Sequence, residues 1–302
     1  SWISYWFIDH EYLAESPAVN PDLRRRFLAL KQQGAGQNEM QLALTLLVKM
    51  MHQHFGKPVI LLLDEYDAPI QQAWEHGFYT ECIAFMKQFL GSVLKGNRDL
   101  DFAVLTGVLR VAKKSIFSDL NNLNDISMWN QYIDICGVSD QELHDNLEIE
   151  LHELADAKEL TYGELCNRLR EYYDGYHFTY NSIGIYNPFS LLNTFKYREF
   201  GSYWFETGTP TYLVELLKKH HYDLERMAHE ETSVAVLNSI DSTSDNPIPV
   251  IYQSGYLTIK GYDEEFGIYS LGFPNREVEE GFIKFLLPFY ANTNAVESEF
   301  EI

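Results

Sequence analysis

Lys57-Pro-Val-Ile-Leu-Leu-Leu-Asp-Glu-Tyr-Asp-Ala-Pro-Ile70 is the stretch of sequence that decides the predicted fold. Within it, Val59 to Leu63 form a continuous apolar run, which is typical of a strand buried on both faces of a parallel sheet. Asp64 and Glu65 follow at the point where this run stops. We therefore expect the two carboxylates to lie at the carboxyl edge of the sheet, where ligands of open α/β folds bind.

The acidic pair has the arrangement of a Walker B site. Asp64 would hold Mg²⁺ through water, because this ion prefers hard oxygen ligands and keeps several of its waters. Glu65 would orient or deprotonate the water that attacks a γ-phosphate. The alternative is that the pair caps the next helix or forms a turn, since five apolar residues followed by Asp-Glu are a short pattern.

A second buried strand is predicted at residues 101–106, after an amphipathic helix at 79–94. Strand, helix and strand over this distance predict two parallel neighbours joined by a right-handed crossover. Thr106 would then lie beside the acidic pair, where its hydroxyl would bond the attacking water or the γ-phosphate, as a sensor residue does. Gly107 would allow a close approach of the backbone.

A short basic segment follows the second strand. Arg110, Lys113 and Lys114 occur between Thr106 and Phe117 with no acidic residue among them. Arg110 would reach phosphate, because the guanidinium group matches phosphate oxygens well. The alternative is a solvated turn whose basic side chains pair with nearby carboxylates, and we favour it for the two lysines.

Composition limits the classes of function that remain. The 302 residues carry a formal net charge of −21, which argues against a surface built to bind the phosphate backbone of nucleic acid. The three cysteines are far apart and form no C-x-x-C pair, so they fit free thiols better than disulfides or a zinc site. No apolar run approaches the ~18 residues of a membrane span, and no signal-peptide pattern opens the chain. We therefore expect a cytoplasmic protein with no membrane partner.

Other segments predict individual elements. Ser1 to Ile8 is rich in aromatic and β-branched residues and predicts a strand or a buried entry segment. Residues 139–154 predict a single helix capped by a serine. Thr161, followed three residues later by Glu164, predicts the capping box of another helix.

Six motifs together resemble a known family. In chain order they are Leu61–Ile70, Leu105–Ser118 with Leu120–Asn122, Tyr173–Tyr176, Tyr186–Ser190, Tyr252–Leu257 and Leu271–Val278. This series resembles the bacterial AAA-ATPase-like family, a P-loop ATPase family often coupled to a PD-(D/E)XK nuclease domain. The resemblance runs from Lys57 to Tyr290.

The resemblance implies an ASCE-type P-loop core with Asp64 and Glu65 as its Walker B acids and with ATP and Mg²⁺ as cofactors. The sequence departs from the family in two ways, because it contains neither a Gly-x-x-x-x-Gly-Lys-Ser/Thr loop nor a nuclease module. We expect the phosphate cradle to precede Ser1 in the intact protein, since the acids, Thr106 and Arg110 are all present for the chemistry. The alternative is a degenerate ATPase that serves as a scaffold.

The predicted fold class is α/β, with a parallel-sheet P-loop (ASCE/AAA-like) core, a helical lid and a winged-helix-like α+β module. The core occupies residues 1–135 and is incomplete at its N-terminus, and the lid occupies 136–241. The last module, 242–302, contains a hairpin with an acidic turn and a closing amphipathic helix.

The function expected from these features is that of an AAA-like module that binds and hydrolyses ATP and regulates an attached or partner effector domain, by resemblance a nuclease. Hydrolysis is expected only when a Walker A segment is present. The alternative is a catalytically degenerate scaffold or interaction module. Nuclease activity is not expected from this segment, because Lys260 lies on its strand without the acid of an Asp/Glu-x-Lys triplet. The expected partners are nucleotide, a nuclease domain or nucleic acid bound through a missing segment, and a second copy of the chain.

Overall fold

The structure, a computed structural model, describes residues 2–109, 116–117, 120–207, 230–237 and 246–290. Arg110, Lys113 and Lys114 therefore lie outside the described residues, as does the predicted domain boundary between 241 and 242. The chain divides into two compact units, residues 1–124 and 125–302. The further division of the second unit into a lid and a winged module stays a prediction. Within the described ranges, no helix combines the length and the apolar character needed to cross a membrane.

The first unit packs helices against one small sheet. Its described elements are α1 (Trp2–Asp9), α2 (Tyr12–Glu15), α3 (Pro21–Lys31), α4 (Gln37–Gln41), α5 (Ala43–Phe55), β1 (Val59–Leu63), α6 (Ala68–Glu75), α7 (Tyr79–Leu94) and β2 (Leu100–Leu105).

Of the two alternatives for the start of the chain, the strand is wrong, because α1 is helical there, whereas a buried segment agrees with the structure. Ile3 and Phe7 are both buried, and their spacing of four residues places them on one face of a helix. The Phe7 ring packs on the ring of Phe27 in α3, with centroids 4.8 Å apart. The aromatic content of this segment therefore serves helix packing and not a pleated sheet.

The predicted parallel pair is confirmed. β1 and β2 pair in parallel, with Leu61 opposite Ala103 and Leu63 opposite Leu105. The connection between them runs through α6 and α7. Both strands therefore end at the same edge, as a crossover connection requires.

The prediction that β1 is buried on both faces is wrong. Leu61 is 9% exposed, whereas Leu62 is 71% exposed. The side chains of Ile60, Phe102 and Val104 are exposed as well. One face of the sheet contacts α5 and α7, and the other carries apolar side chains that no described element buries.

The predicted fold class is confirmed at the level of a mixed α/β protein with small sheets. The P-loop core is not confirmed, because the described residues contain two parallel strands, which are too few to identify that fold. The continuous apolar run of β1 nevertheless has the composition of a strand that is buried on both faces.

The second unit contains helices, a short strand pair and a three-stranded antiparallel sheet. Its described elements are a 3₁₀ turn (Asn130–Tyr132), β3 (Val138–Ser139), α8 (Asp140–Asn146), α9 (Glu148–Ala157), α10 (Tyr162–Tyr173), β4 (Ile185–Tyr186), α11 (Pro188–Tyr197), α12 (Tyr203–Glu206), β5 (Glu231–Ser233), α13 (Val234–Leu237), α14 (Ile248–Gln253), β6 (Thr258–Asp263), β7 (Ile268–Gly272) and α15 (Arg276–Tyr290).

The predicted helix starts are confirmed. Ser139 and Glu142 form a reciprocal capping box at the start of α8, and Thr161 and Glu164 form one at α10. The single helix predicted at 139–154 is instead two helices, which meet at Leu147. The capping residues were therefore predictable from the sequence, whereas the break between α8 and α9 was not.

The predicted hairpin is confirmed as β6 and β7, which pair antiparallel. In its acidic turn, Asp263 Oδ1 accepts hydrogen bonds from the backbone N–H groups of Glu265 (2.9 Å) and Phe266 (3.1 Å). A third strand, β5, pairs with β7 and was not predicted. β7 is therefore the central strand of a three-stranded sheet, and β5 comes from the segment that was predicted to be the lid.

A buried carboxylate joins three helices of the second unit. Glu277, in the first turn of α15, is 1% exposed. Its Oε1 accepts hydrogen bonds from Ser190 Oγ of α11 and from the backbone N–H of Trp204 in α12, both at 2.8 Å. Burial raises the pKa of Glu277 above its ordinary value, although the bonds from Ser190 and Trp204 oppose that shift.

Substitutions on the two faces of β1 should differ in cost. Leu61→Ala is expected to lower the free energy of unfolding by about 2–4 kcal/mol, because it removes a buried side chain and leaves a cavity. Leu62→Ala is the matched control and should cost less than about 1 kcal/mol, because its side chain already contacts solvent. Urea denaturation of the two variants measures the difference, and equal losses would contradict the one-sided burial of the sheet.

The raised pKa of Glu277 predicts a pH-dependent stability. The folded state favours the protonated carboxyl, so the contribution of Glu277 to stability is fully present below its unfolded pKa and falls as pH rises through the higher folded pKa. Glu277→Gln keeps an acceptor oxygen and does not ionise, so its stability relative to the wild type should increase from pH 4 to pH 8. Thermal denaturation across that range measures the difference. The exposed control Glu264→Gln should show no such trend, and parallel curves for Glu277→Gln and the wild type would refute the prediction.

Candidate functional site

The candidate site lies where β1 and β2 end. The pairing of the two strands continues beyond them, since the Thr106 N–H donates to the carbonyl of Leu63 at 2.8 Å. The Tyr66 N–H in turn donates to the carbonyl of Thr106 at 3.1 Å. These two backbone bonds fix the residue after β2 against the last residue of β1 and the turn that follows it.

The side chain of Thr106 completes this link. Its hydroxyl donates a hydrogen bond to Asp64 Oδ1, and the backbone N–H of Glu65 donates to the same oxygen at 3.0 Å. Asp64, Glu65 and Thr106 are all exposed. The structure thus brings together three of the four predicted site residues, while the fourth, Arg110, lies outside the described residues.

Glu65 has an unusual backbone conformation. Its φ is 52°, in the left-handed region that few residues other than glycine adopt. Strained residues of this kind cluster at functional sites, where the surrounding structure maintains them. For Glu65 that surrounding structure includes the strand pairing on one side and the start of α6 on the other.

The alternative interpretation was that the acidic pair caps the next helix or forms a turn. The cap is not what the structure shows, whereas Glu65 does begin a turn, because its carbonyl accepts a hydrogen bond from the N–H of Ala68 at 3.1 Å. The residue at the N-cap position of α6 is Asp67, and neither Asp64 nor Glu65 occupies it. Asp67 is 1% exposed and accepts a hydrogen bond from the backbone N–H of Leu109 at 2.8 Å. Sequence reasoning gave Asp67 no role, although an aspartate just before Ala-Pro at a helix start was visible.

Gly107 allows a close approach of its backbone, as predicted, and the structure identifies what approaches it. A Cβ atom at this position would lie 2.4 Å from Asp67 Oδ1 and 3.0 Å from the ring of Tyr66. The close approach that glycine allows here is therefore to the protein's own side chains.

The donor set fits Mg²⁺ bound mainly through water. Asp64 and Glu65 supply exposed carboxylate oxygens and Thr106 supplies a hydroxyl, which are hard ligands suited to this ion. Among the described residues, no group of three or more His, Cys, Asp or Glu side chains could hold a metal by itself. Mg²⁺ usually takes one or two carboxylates and completes its shell with water and substrate phosphates.

A separate cavity in the second unit includes Lys260. Its volume is ≈ 510 Å³, and Glu231 and Glu279 line it together with Lys260. Lys260 Nζ donates to the carbonyl of Pro274 at 3.3 Å, and burial lowers the pKa of its ammonium group. The position two residues before Lys260, where an Asp/Glu-x-Lys triplet has its acid, is Thr258, so this cavity does not strengthen the nuclease hypothesis.

Comparison with known proteins finds a family that matches most of the first unit and a protein that is similar to most of this chain. Residues 12–117 match the sequence profile of a family described as "AAA-ATPase_like: Predicted AAA-ATPase". A protein of Azotobacter chroococcum mcd 1, described as an uncharacterized protein in the vnfD 5′ region, is 35% identical over 245 residues. The alignment covers 80% of this chain and 45% of that protein, so the chain spans less than half the length of this relative. No solved structure matches the chain.

The family match supports the resemblance to the AAA-ATPase-like family. The matched segment contains Asp64, Glu65 and Thr106, the residues that meet at the end of β1 and β2. The family description suggests an AAA-ATPase-like function for this segment.

The left-handed conformation of Glu65 predicts that replacement by glycine destabilises the protein less than replacement by alanine. Glu65→Gly should be more stable than Glu65→Ala by about 1 kcal/mol, because only alanine retains the Cβ that disfavours the left-handed region. At Asp64, whose φ is not positive, the order should reverse, since glycine there adds flexibility to the unfolded chain without relieving strain. Urea denaturation of the four variants tests both statements, and alanine being the more stable replacement at both positions would contradict them.

Proposed function

We propose that the carboxyl edge of β1 and β2 is part of an AAA-like site that binds and hydrolyses ATP. The observation that carries the proposal is the hydrogen bond from the Thr106 hydroxyl to Asp64, which joins the polar ends of two parallel strands. Ligands of open α/β folds bind at this edge. The family match to residues 12–117 supports the same class of function.

ATP and Mg²⁺ are the proposed cofactors, and Asp64 is the residue that would hold the ion through water. When bound, Mg²⁺ would supply positive charge that offsets the negative charge developing during phosphoryl transfer. Both hydrogen bonds described for Asp64 are accepted by Oδ1, so Oδ2 is the oxygen assigned to water of the metal shell. The phosphate cradle has no counterpart in the sequence of this chain, so turnover requires a Walker A segment from elsewhere in the protein.

Glu65 and Thr106 have separate roles in this proposal. Glu65 accepts a proton from the attacking water or orients that water, as a carboxylate within hydrogen-bond reach of the water can do. Thr106 holds Asp64 in place through its hydroxyl and senses the γ-phosphate from the end of β2. Arg110, three residues after Gly107, is proposed to contact phosphate.

Regulation of an effector is the proposed purpose of the nucleotide cycle. The family that the sequence resembles supplies a nuclease domain as the candidate effector, attached or as a partner. More than half of the relative from Azotobacter lies outside the alignment, which leaves room in that protein for such a domain.

A scaffold or interaction module is the second candidate, and the distribution of charge favours it. Residues 1–124 contain 12 Lys and Arg against 13 Asp and Glu, whereas residues 125–302 contain 11 against 31. The net charge of the second unit is therefore −20, while that of the first is −1. A surface of this sign would steer a basic partner towards the second unit.

Variants of the acidic pair separate the two candidates in the full-length protein. Glu65→Gln should lower kcat for ATP hydrolysis by about 10²-fold or more while ATP still raises the melting temperature, because the side chain acts on the attacking water. Asp64→Ala should remove the Mg²⁺-dependent part of the stabilisation by ATP. The exposed helix residue Glu75 provides the matched control, and Glu75→Gln should change neither quantity. If the wild type shows neither stabilisation nor hydrolysis, the scaffold reading holds.

A further inference from the structure

Asp67 occupies a helix cap position without capping the helix. It is the N-cap residue of α6, where an aspartate ordinarily accepts a hydrogen bond from the second or third N–H of the helix. The side chain of Asp67 makes no such bond. The favourable hydrogen bond of an N-cap side chain is therefore missing at Asp67, and its carboxylate makes other hydrogen bonds instead.

The carboxylate binds the turn that follows β2. Asp67 Oδ2 accepts a hydrogen bond from the backbone N–H of Leu109 at 2.8 Å and another from Gln71 Nε2 at 2.6 Å. Asp67 is 1% exposed, and a buried carboxylate is costly unless hydrogen bonds compensate it. Bonds from N–H groups to an ionised carboxylate are also about twice as strong as neutral ones. These three residues form what we call the Asp67 clamp.

Gly107 provides the space that the clamp needs. A Cβ atom on residue 107 would lie 2.4 Å from Asp67 Oδ1, closer than packed atoms come. The φ of Gly107 is not positive, so glycine is required here for space and not for backbone conformation. The carboxylate and the turn thus fit together only while residue 107 has no side chain.

We propose that Asp67 is a positioning residue of the nucleotide site, acting through the Asp67 clamp. The turn from Thr106 to Leu109 is held at both ends. Thr106 is fixed by strand pairing and by its bond to Asp64, and Leu109 is fixed by the clamp. The clamp therefore sets the position of the sensor hydroxyl and the point from which the chain continues to Arg110. This inference rests on the proposed function.

Hydrogen exchange in the full-length protein tests the clamp independently of nucleotide. Asp67→Ala removes the acceptor, and Gly107→Ala displaces it from the opposite side. Both should speed exchange of the Leu109 amide, whereas Asp67→Asn keeps an oxygen for Leu109 and Gln71 and should preserve its protection. Gln71→Ala is the milder variant if Asp67→Ala fails to fold, and Gln72→Ala, which alters an exposed neighbour, is the matched control.

Steady-state hydrolysis by the same variants tests the positioning role. Asp67→Ala and Gly107→Ala should lower kcat by about 10–100-fold, because small displacements of catalytic groups have effects of this size. KM for Mg-ATP should stay within about threefold, because the clamp does not touch the nucleotide. Asp67→Asn should retain kcat within about threefold, because it keeps the acceptor oxygen. If Asp67 contributed only to overall stability, this rescue of kcat would not be expected.

The possible results distinguish the clamp, the positioning role and the proposed function from one another. Unchanged exchange at Leu109 in both Asp67→Ala and Gly107→Ala would overturn the clamp. Faster exchange with unchanged kcat, in a protein that loses activity on Glu65→Gln, would overturn the positioning role and leave the proposed function standing. A wild-type protein that neither binds nor hydrolyses ATP would overturn the proposed function and the positioning role together, while the exchange data would still report on the clamp.

Discussion

The parallel pairing of β1 with β2 is the constraint on which the candidate site depends. Asp64 and Thr106 are separated by 42 residues in sequence, and they meet because both strands run in the same direction and end at one edge. A side-chain hydrogen bond then joins the two ends, and backbone bonds extend the pairing beyond the strands. The left-handed conformation of Glu65 lies inside this frame, so the strand pairing also helps to maintain a backbone geometry that an isolated segment would avoid.

Much of this arrangement was predictable from sequence because it depends on patterns that repeat locally. An apolar run with a polar end marks a buried strand, so the sequence located β1, β2 and the meeting of Asp64 with Thr106. Capping residues such as Ser139 mark the start of a helix, because their side chains accept a hydrogen bond from an N–H group of its first turn. For the strands and helix starts, the chemistry that fixes the element lies within a few residues of it. The meeting of Asp64 with Thr106 followed from the crossover rule for parallel strands.

Other features depend on contacts that no local pattern records. The first segment was expected to be a strand because of its composition, yet the burial of Ile3 and Phe7 one helical turn apart decides in favour of α1. The φ of Glu65 and the burial of Asp67 follow from how the end of β1 meets the turn after β2. The exposed face of β1 is a further example. The apolar composition of the strand predicts burial on both faces, whereas the described elements cover only one of them.

The sequence separation between Asp64 and Thr106 has a consequence for the order of events during folding. Contacts within α5 or α7 close short loops, whereas the bond between Asp64 and Thr106 closes a long one, so it carries a larger entropic cost before it contributes stability. Because synthesis proceeds from the N-terminus, β1 is made before residue 106. The nascent chain therefore carries its two exposed acids for a period without their partner, and any nucleotide chemistry begins only after the crossover has closed.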